Sequence, residues 1–328
     1  GIAAVLLVAA VVAHCLTARR PLVDVRRWAD VARRADLLGA ALLGTALAGI
    51  VLAFATANPQ VAVFSPVGPW LLLGSAAAGL FVVHLRRAEE PLLPRGAFVR
   101  TGAWGALAVS FFVGSALIAA LVDIPIFARV TVYPASQLDA ALVLVRFLVA
   151  LPVGALAGGY ATRRVPVGVV TAVGMLLAAG GFTWMSTWGL TSLRDPVATL
   201  PLVLAGLGFG LALAPVNAAL LAATEDAVHG VASALLVVAR MVGMLVGISA
   251  LTTIGLRRYY AVQVDLPAPS DVCSSGTQCA AYTRLLKEAG LEQLHTIFVG
   301  AAVCAVVAAV LAVVTLRGSA PASGTLPP

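Results

Sequence analysis

Charge is scarce in this 328-residue chain: Asp, Glu, Lys and Arg make up 11% of it, against about 25% in a soluble domain. Lysine is nearly missing, with Lys287 alone beside twenty arginines. Histidine and cysteine are limited to four residues each. His14, His84, His229 and His295 are scattered near the ends of apolar blocks and form no cluster able to hold a metal. No Gly-x-Ser-x-Gly elbow, Walker loop or His-Glu-x-x-His occurs, so the sequence offers no enzymatic constellation, no cofactor site and no metal centre. What is plentiful is apolar surface. Hydrophobic residues reach 61%, too much for a water-soluble core of this length to hide. The net charge of +7 is therefore loop charge that orients spans in a bilayer and meets anionic lipid, with no nucleic-acid partner implied.

Nine apolar blocks read as spans, at about 1–16, 36–56, 66–85, 102–129, 136–160, 166–187, 197–222, 228–256 and 293–316, and runs of 18 residues or more among them are long enough to cross hydrocarbon about 30 Å thick. They do not alternate polar and apolar residues, which excludes barrel strands and leaves helix. The fold class expected is all-α integral membrane. The chain opens inside an apolar block, on Gly1-Ile2-Ala3, with no basic leader before it; the expectation is a fragment lacking an N-terminal part.

Arginines fall in pairs between the blocks: Arg19-Arg20, Arg26-Arg27, Arg33-Arg34, Arg86-Arg87 and Arg163-Arg164. Placing 17–35 in the cytoplasm puts thirteen arginines on that side and five, with Lys287, on the other. That asymmetry predicts a plasma (inner) membrane protein with a cytoplasmic C-terminus. Segment 17–35 carries Leu22, Val25, Trp28 and Val31 among its arginines. It reads equally as a helix lying on the membrane surface or as a solvated connector. Trp70, Trp104, Trp184 and Trp188 fall at span ends, as an aromatic belt would. Loop 257–292 is the sizeable extramembrane piece. Its Cys273 and Cys279, on the oxidising side, predict a disulfide. Residues 280–294 read as helix running without a breaker into the last span, which predicts a projection beyond the bilayer.

Three charges stand inside spans, where an ionisable group is costly and commonly serves a pathway. Arg240 lies mid-span in Arg240-Met-Val-Gly243-Met-Leu-Val-Gly247. It needs a polar cavity or a carboxylate, or else a static packing partner; Gly243 and Gly247 form a small-xxx-small face. Arg146 and Asp123, each about 10–17 Å from a shared loop at 1.5 Å per residue, are expected to pair across adjacent helices. They would act either as a proton-coupling unit or as a static lock. Pro125 marks a possible hinge beside Asp123. Gly206, Gly208 and Gly210 precede Pro215 and Asn217; these fit helix packing and bending, with Asn217 a pathway candidate.

Gly154-Ala-Leu-Ala-Gly158-Gly-Tyr-Ala-Thr-Arg163-Arg164 resembles the short cytoplasmic-loop motif of the major facilitator superfamily, with Gly158 where an aspartate is usual. Arg240-x-x-Gly243-x-x-x-Gly247 resembles a span pattern of its fourteen-helix drug:proton antiporter branch. The stretch from Asp123-Ile-Pro-Ile-Phe-Ala-Arg129 through Ser136-Gln-Leu-Asp139 to Arg146-Phe-Leu-Val-Ala-Leu-Pro152 is similar to mycobacterial exporters of that branch that work with a periplasmic lipid-carrying lipoprotein. The resemblance implies the following domains: 1–16 the last helix of an N-terminal bundle otherwise missing, 17–35 a basic loop, 36–100 two linker helices and a loop, 101–317 a C-terminal six-helix bundle, and 318–328 a tail. It implies export of hydrophobic compounds, triacylglycerol-type lipids or drugs, driven by the proton gradient without a cofactor and by alternating access. The expected partners are the bilayer, an apolar cargo, a periplasmic lipoprotein and the missing bundle. As a fragment, the chain is expected to be inactive alone. The competing reading is a membrane scaffold with no transport cycle.

Overall fold

The computed structural model describes residues 37–55, 67–87, 101–225, 228–273 and 279–316. The expected first span, the basic segment 17–35 and the tail 318–328 lie outside them. Eight long helices carry the described chain: α1 (Leu37–Ala55), α2 (Val67–Arg87), α3 (Thr101–Thr131), α4 (Gln137–Ala161), α5 (Val167–Met185), α6 (Thr199–Ala223), α7 (His229–Val264) and α8 (Ala280–Thr315). The six from α3 to α8 are long and apolar enough to cross a membrane. No strand occurs among the described residues. The all-α membrane architecture follows directly from the apolar blocks, since in lipid each backbone donor and acceptor must be satisfied within its own helix.

Short polar signals set the breaks. The hydroxyl of Ser136 accepts from the Asp139 amide and caps α4, while the Asp195 carboxylate caps the 3-10 turn Pro196–Ala198 ahead of α6. His229 bonds through Nε2 to the carbonyl of Leu221 and ties the start of α7 to the end of α6.

Several of the closest neighbours in space are not neighbours in sequence. α4 packs chiefly on α6, α6 also on α5, α3 on α7, and α8 on α3, α5 and α7. Ser110 and Ser115 of α3 donate to the carbonyls of Leu236 and Gly243 on α7, at 3.0 Å and 2.9 Å. Both contacts advance together along the two chains, so α3 and α7 run parallel. Gly105 of α3 meets Thr315 of α8, and Gly255 of α7 meets Ile297 of α8; α8 is antiparallel to both. α1 and α2 form their own hairpin, crossing where Gly49 meets Gly74.

The core is a chain of aromatic rings that joins five helices. Phe147 of α4 meets Phe209 of α6, which meets Phe182 of α5, which meets Phe298 of α8. Phe298 then meets Phe127 of α3 and Trp188. Trp188 therefore corrects the belt expectation: it is 3% exposed and packed on Phe127 and Phe298, while Trp70, Trp104 and Trp184 are exposed. The block expected to run to 187 ends at Met185, and the turn that follows folds the indole inward. Nε2 of His295 on α8 donates to the Trp188 carbonyl at 2.6 Å and holds that turn down.

α7 and α8 have 36 residues each, about 54 Å at 1.5 Å per residue and well beyond hydrocarbon about 30 Å thick. Their extensions pair as a hairpin outside the bundle, bridged by Arg258 and Glu292 at 3.3 Å and closed by the Cys273–Cys279 disulfide. The disulfide, and a helix unbroken from Ala280 into the last span, are as the sequence led us to expect. A crosslink across so short a loop contributes about 2 kcal/mol, by restricting the unfolded hairpin. Reduction, or Cys273→Ser, is expected to speed tryptic cleavage at Arg284 and Lys287 while the thermal midpoint of the bundle stays unchanged. Limited proteolysis alongside a detergent melt checks this.

Candidate functional site: the charges within the bundle

The residues of α7 that are buried against the bundle are Ala232, Leu236, Gly243, Gly247, Leu251 and Gly255. Steps of three and four place them on one stripe, and Arg240 fills the place on that stripe between Leu236 and Gly243. The reason is backbone proximity. A side chain at Gly243 would strike the Phe111 carbonyl, one at Gly247 would strike the backbone of Ser115, and one at Gly114 would strike the Arg240 carbonyl. The small-xxx-small face is therefore the α3–α7 contact. It brings the guanidinium into the bundle, where Nε and Nη2 are buried with no hydrogen-bond partner among the described residues.

Asp123 and Arg146 do not pair. Asp123 is 8% exposed on α3, whereas Nη1 of Arg146 donates to Thr199 Oγ1 at 2.9 Å. The ion pair expected across adjacent helices fails because α4 lies mainly against α6, and the start of α6 presents Thr199 to the guanidinium. The ion pairs among the described residues are Arg258–Glu292 and Arg284–Glu288, both exposed and outside the bundle. Asn217 turns back on its own helix, with Nδ2 donating to the Leu213 carbonyl at 2.8 Å, two residues either side of Pro215. Pro125 lies within α3 and Pro215 within α6; each removes one helical donor and leaves its helix continuous. Among the described residues no three His, Cys, Asp or Glu side chains gather into a metal-binding group.

The loop motif at the end of α4 has a packing cause for its departure. A Cβ on Gly158 would lie 2.9 Å from the Leu211 carbonyl oxygen of α6. One on Gly154 would strike the Leu207 carbonyl, and those on Gly206 and Gly210 would strike carbonyls of α4 in return. The helices thus touch backbone to backbone and exclude an aspartate at 158. Arg163 lies over the Tyr160 ring, 5.6 Å from its centroid, and Arg164 is exposed beside it. Gly158→Asp is expected to cost about 2 kcal/mol or more by forcing the helices apart. Gly159→Asp, with nothing within 4 Å, should be nearly neutral; parallel melts of the two variants check this. Sequence reasoning missed Thr199 as the Arg146 partner and the ties made by His229 at the start of α7 and by His295 within α8. A histidine near a span end is a signal for such a tie.

No protein-family model matches the chain. Triacylglyceride transporters align with most of it. That of Mycolicibacterium hassiacum is 40% identical over 79% of this chain and 51% of its own length. That of Mycolicibacterium smegmatis is 35% identical over 87% and 54%, and that of Mycobacterium tuberculosis 38% identical over 72% and 48%. The chain spans about half the length of these curated relatives. Among solved structures, a bacterial homolog of the human lysosomal transporter Spinster, inward-facing and unoccupied, superposes with a TM-score of 0.56 at 16% identity, covering 87% of this chain and 65% of that one. The chain is a multi-pass membrane protein of transporter fold whose sequence is similar, over most of its own length, to about half of a triacylglyceride transporter.

Proposed function

We propose that the chain supplies the C-terminal bundle of a proton-driven exporter of hydrophobic compounds, triacylglycerol-type lipids or apolar drugs, in the fourteen-helix drug:proton antiporter branch of the major facilitator superfamily. The observation that carries this is Arg240. A guanidinium on the packed stripe of a membrane helix with two nitrogens buried and unpartnered among the described residues is costly, and it is suited to a carboxylate that comes and goes as the protein changes state. Alternating access supplies such a carboxylate from a second bundle that closes on this one. The spans with the least buried surface are α4 and α7, the faces a second bundle would cover. α1 and α2 serve as linker helices between the bundles, and the membrane is the plasma membrane with the arginine-rich loops inside. The hairpin of α7 and α8 then stands on the outer side, where a lipid-carrying lipoprotein receives the cargo.

The substrate for which the relatives are named, the long apolar helices and the transporter-type fold support this reading. Cells expressing the complete two-bundle protein should lower their accumulation of a fluorescent apolar compound. An uncoupler should abolish the difference, and this chain alone should give none. Accumulation that an uncoupler leaves unchanged would contradict proton coupling. A scaffold would give no export from either form.

A further inference from the structure

Asp123 is the second charge of the bundle that the packing leaves alone. It is 8% exposed, in a span, with no hydrogen-bond or ion-pair partner among the described residues. Gly114 of α3 lies against the Arg240 carbonyl, nine residues before Asp123. The carboxyl is thus about 13 Å further along the bundle, towards the disulfide side, at 1.5 Å per residue. Arg240 is not its partner in this state.

The helices packed on α3 are α4, α6, α7 and α8, and each accounts for its own charges. Arg146 of α4 is held by Thr199, and Asp139 is exposed in its first turn. α6 has no titratable residue from Thr199 to Ala223. Arg257, Arg258, Tyr259 and Tyr260 of α7 lie on its extension and Asp265 caps its end, with Arg258 taken by Glu292. On α8, Arg284 and Glu288 pair with each other, His295 donates to the Trp188 carbonyl, and Lys287 is on the extension. On α3 itself, Arg129 is exposed, six residues on. A carboxylate so nearly buried is costly as an anion and cheap as the neutral acid. Pro125 leaves the Leu121 carbonyl without its helical donor next to this site, so α3 can bend there and open the carboxyl to water.

We propose that Asp123 is a proton-binding site of the transport cycle, on α3 and separate from Arg240. The proposal rests on the exporter reading above. With the disulfide side open, the carboxylate takes a proton and becomes a neutral acid that the bundle can enclose. After the switch it returns that proton to the opposite side and is again an anion, so one proton moves inward for each cycle of the site.

The test uses the complete transporter in vesicles. Asp123→Asn mimics the neutral acid. It is expected to lower gradient-driven export roughly tenfold or more, the size of a coupling free energy, while exchange of labelled cargo without a gradient continues. Asp123→Glu should keep driven export. On the wild type, dicyclohexylcarbodiimide, which modifies protonated carboxyls in apolar surroundings, should leave its adduct on Asp123 in mildly acidic buffer and less of it in alkaline buffer. Driven export at the wild-type rate by Asp123→Asn overturns the proposal and leaves the exporter reading standing. Absence of the adduct at every pH also overturns it. Wild-type export that ignores the gradient overturns the exporter reading, and this site with it.

Discussion

In the complete transporter, Arg240→Ala is expected to lower driven export roughly a hundredfold, from the loss of about 3 kcal/mol in the step where a carboxylate must find its partner. The same change should leave the abundance and thermal stability of the protein equal to or above the wild type. A central arginine costs about 2.5–3.5 kcal/mol on the lenient insertion scale, and here Nε and Nη2 gain no hydrogen bond in return among the described residues. Alanine removes that cost and fits the stripe of small residues on α7. Arg240→Lys keeps the charge but loses the planar fork, so it should fall between the two. Export measured beside a detergent melt on the same preparations separates the readings. A structural arginine would lose stability and activity together, whereas a functional one loses activity alone.

The second large effect is mechanical. Gly243→Leu inserts a side chain where the Phe111 carbonyl of α3 leaves no space. It also displaces the Gly243 carbonyl from the Ser115 hydroxyl, which donates to it at 2.9 Å. Overpacking of this kind costs about 3 kcal/mol, and lipid offers no hydrophobic return for the separated helices. Gly230→Leu on the same helix meets nothing within 4 Å and is expected to change stability by about 0.5 kcal/mol at most. A melt of the two variants side by side should show a shift of several degrees for the first and almost none for the second. Equal behaviour would mean that α3 and α7 do not meet at Gly243.

The spans were readable because the bilayer imposes a length and a composition on every crossing. The ends of α3 to α6 stand within two residues of the apolar blocks that predicted them. The disulfide was readable too, because Cys273 and Cys279 close a short polar loop. Partner choice was less so. These helices are apolar all round, so no stripe in the sequence says which face is packed. That is why Arg146 reads as a partner for Asp123, one loop away, although α4 in fact lies on α6 and the guanidinium reaches Thr199. The aromatic chain from Phe147 to Phe127 was hidden for the same reason. A phenylalanine facing lipid and one facing a neighbouring helix look alike in sequence. Arg240 was visible because its cost marks it in any packing arrangement.

Proton-driven export through Arg240 can be measured in proteoliposomes holding the complete transporter and labelled triacylglycerol, with a pH gradient imposed across the membrane. Lipid movement should start with the gradient, stop when an uncoupler collapses it, and be lost in Arg240→Ala at undiminished protein stability. Movement at the same rate with and without the gradient, or undiminished in Arg240→Ala, would contradict this mechanism.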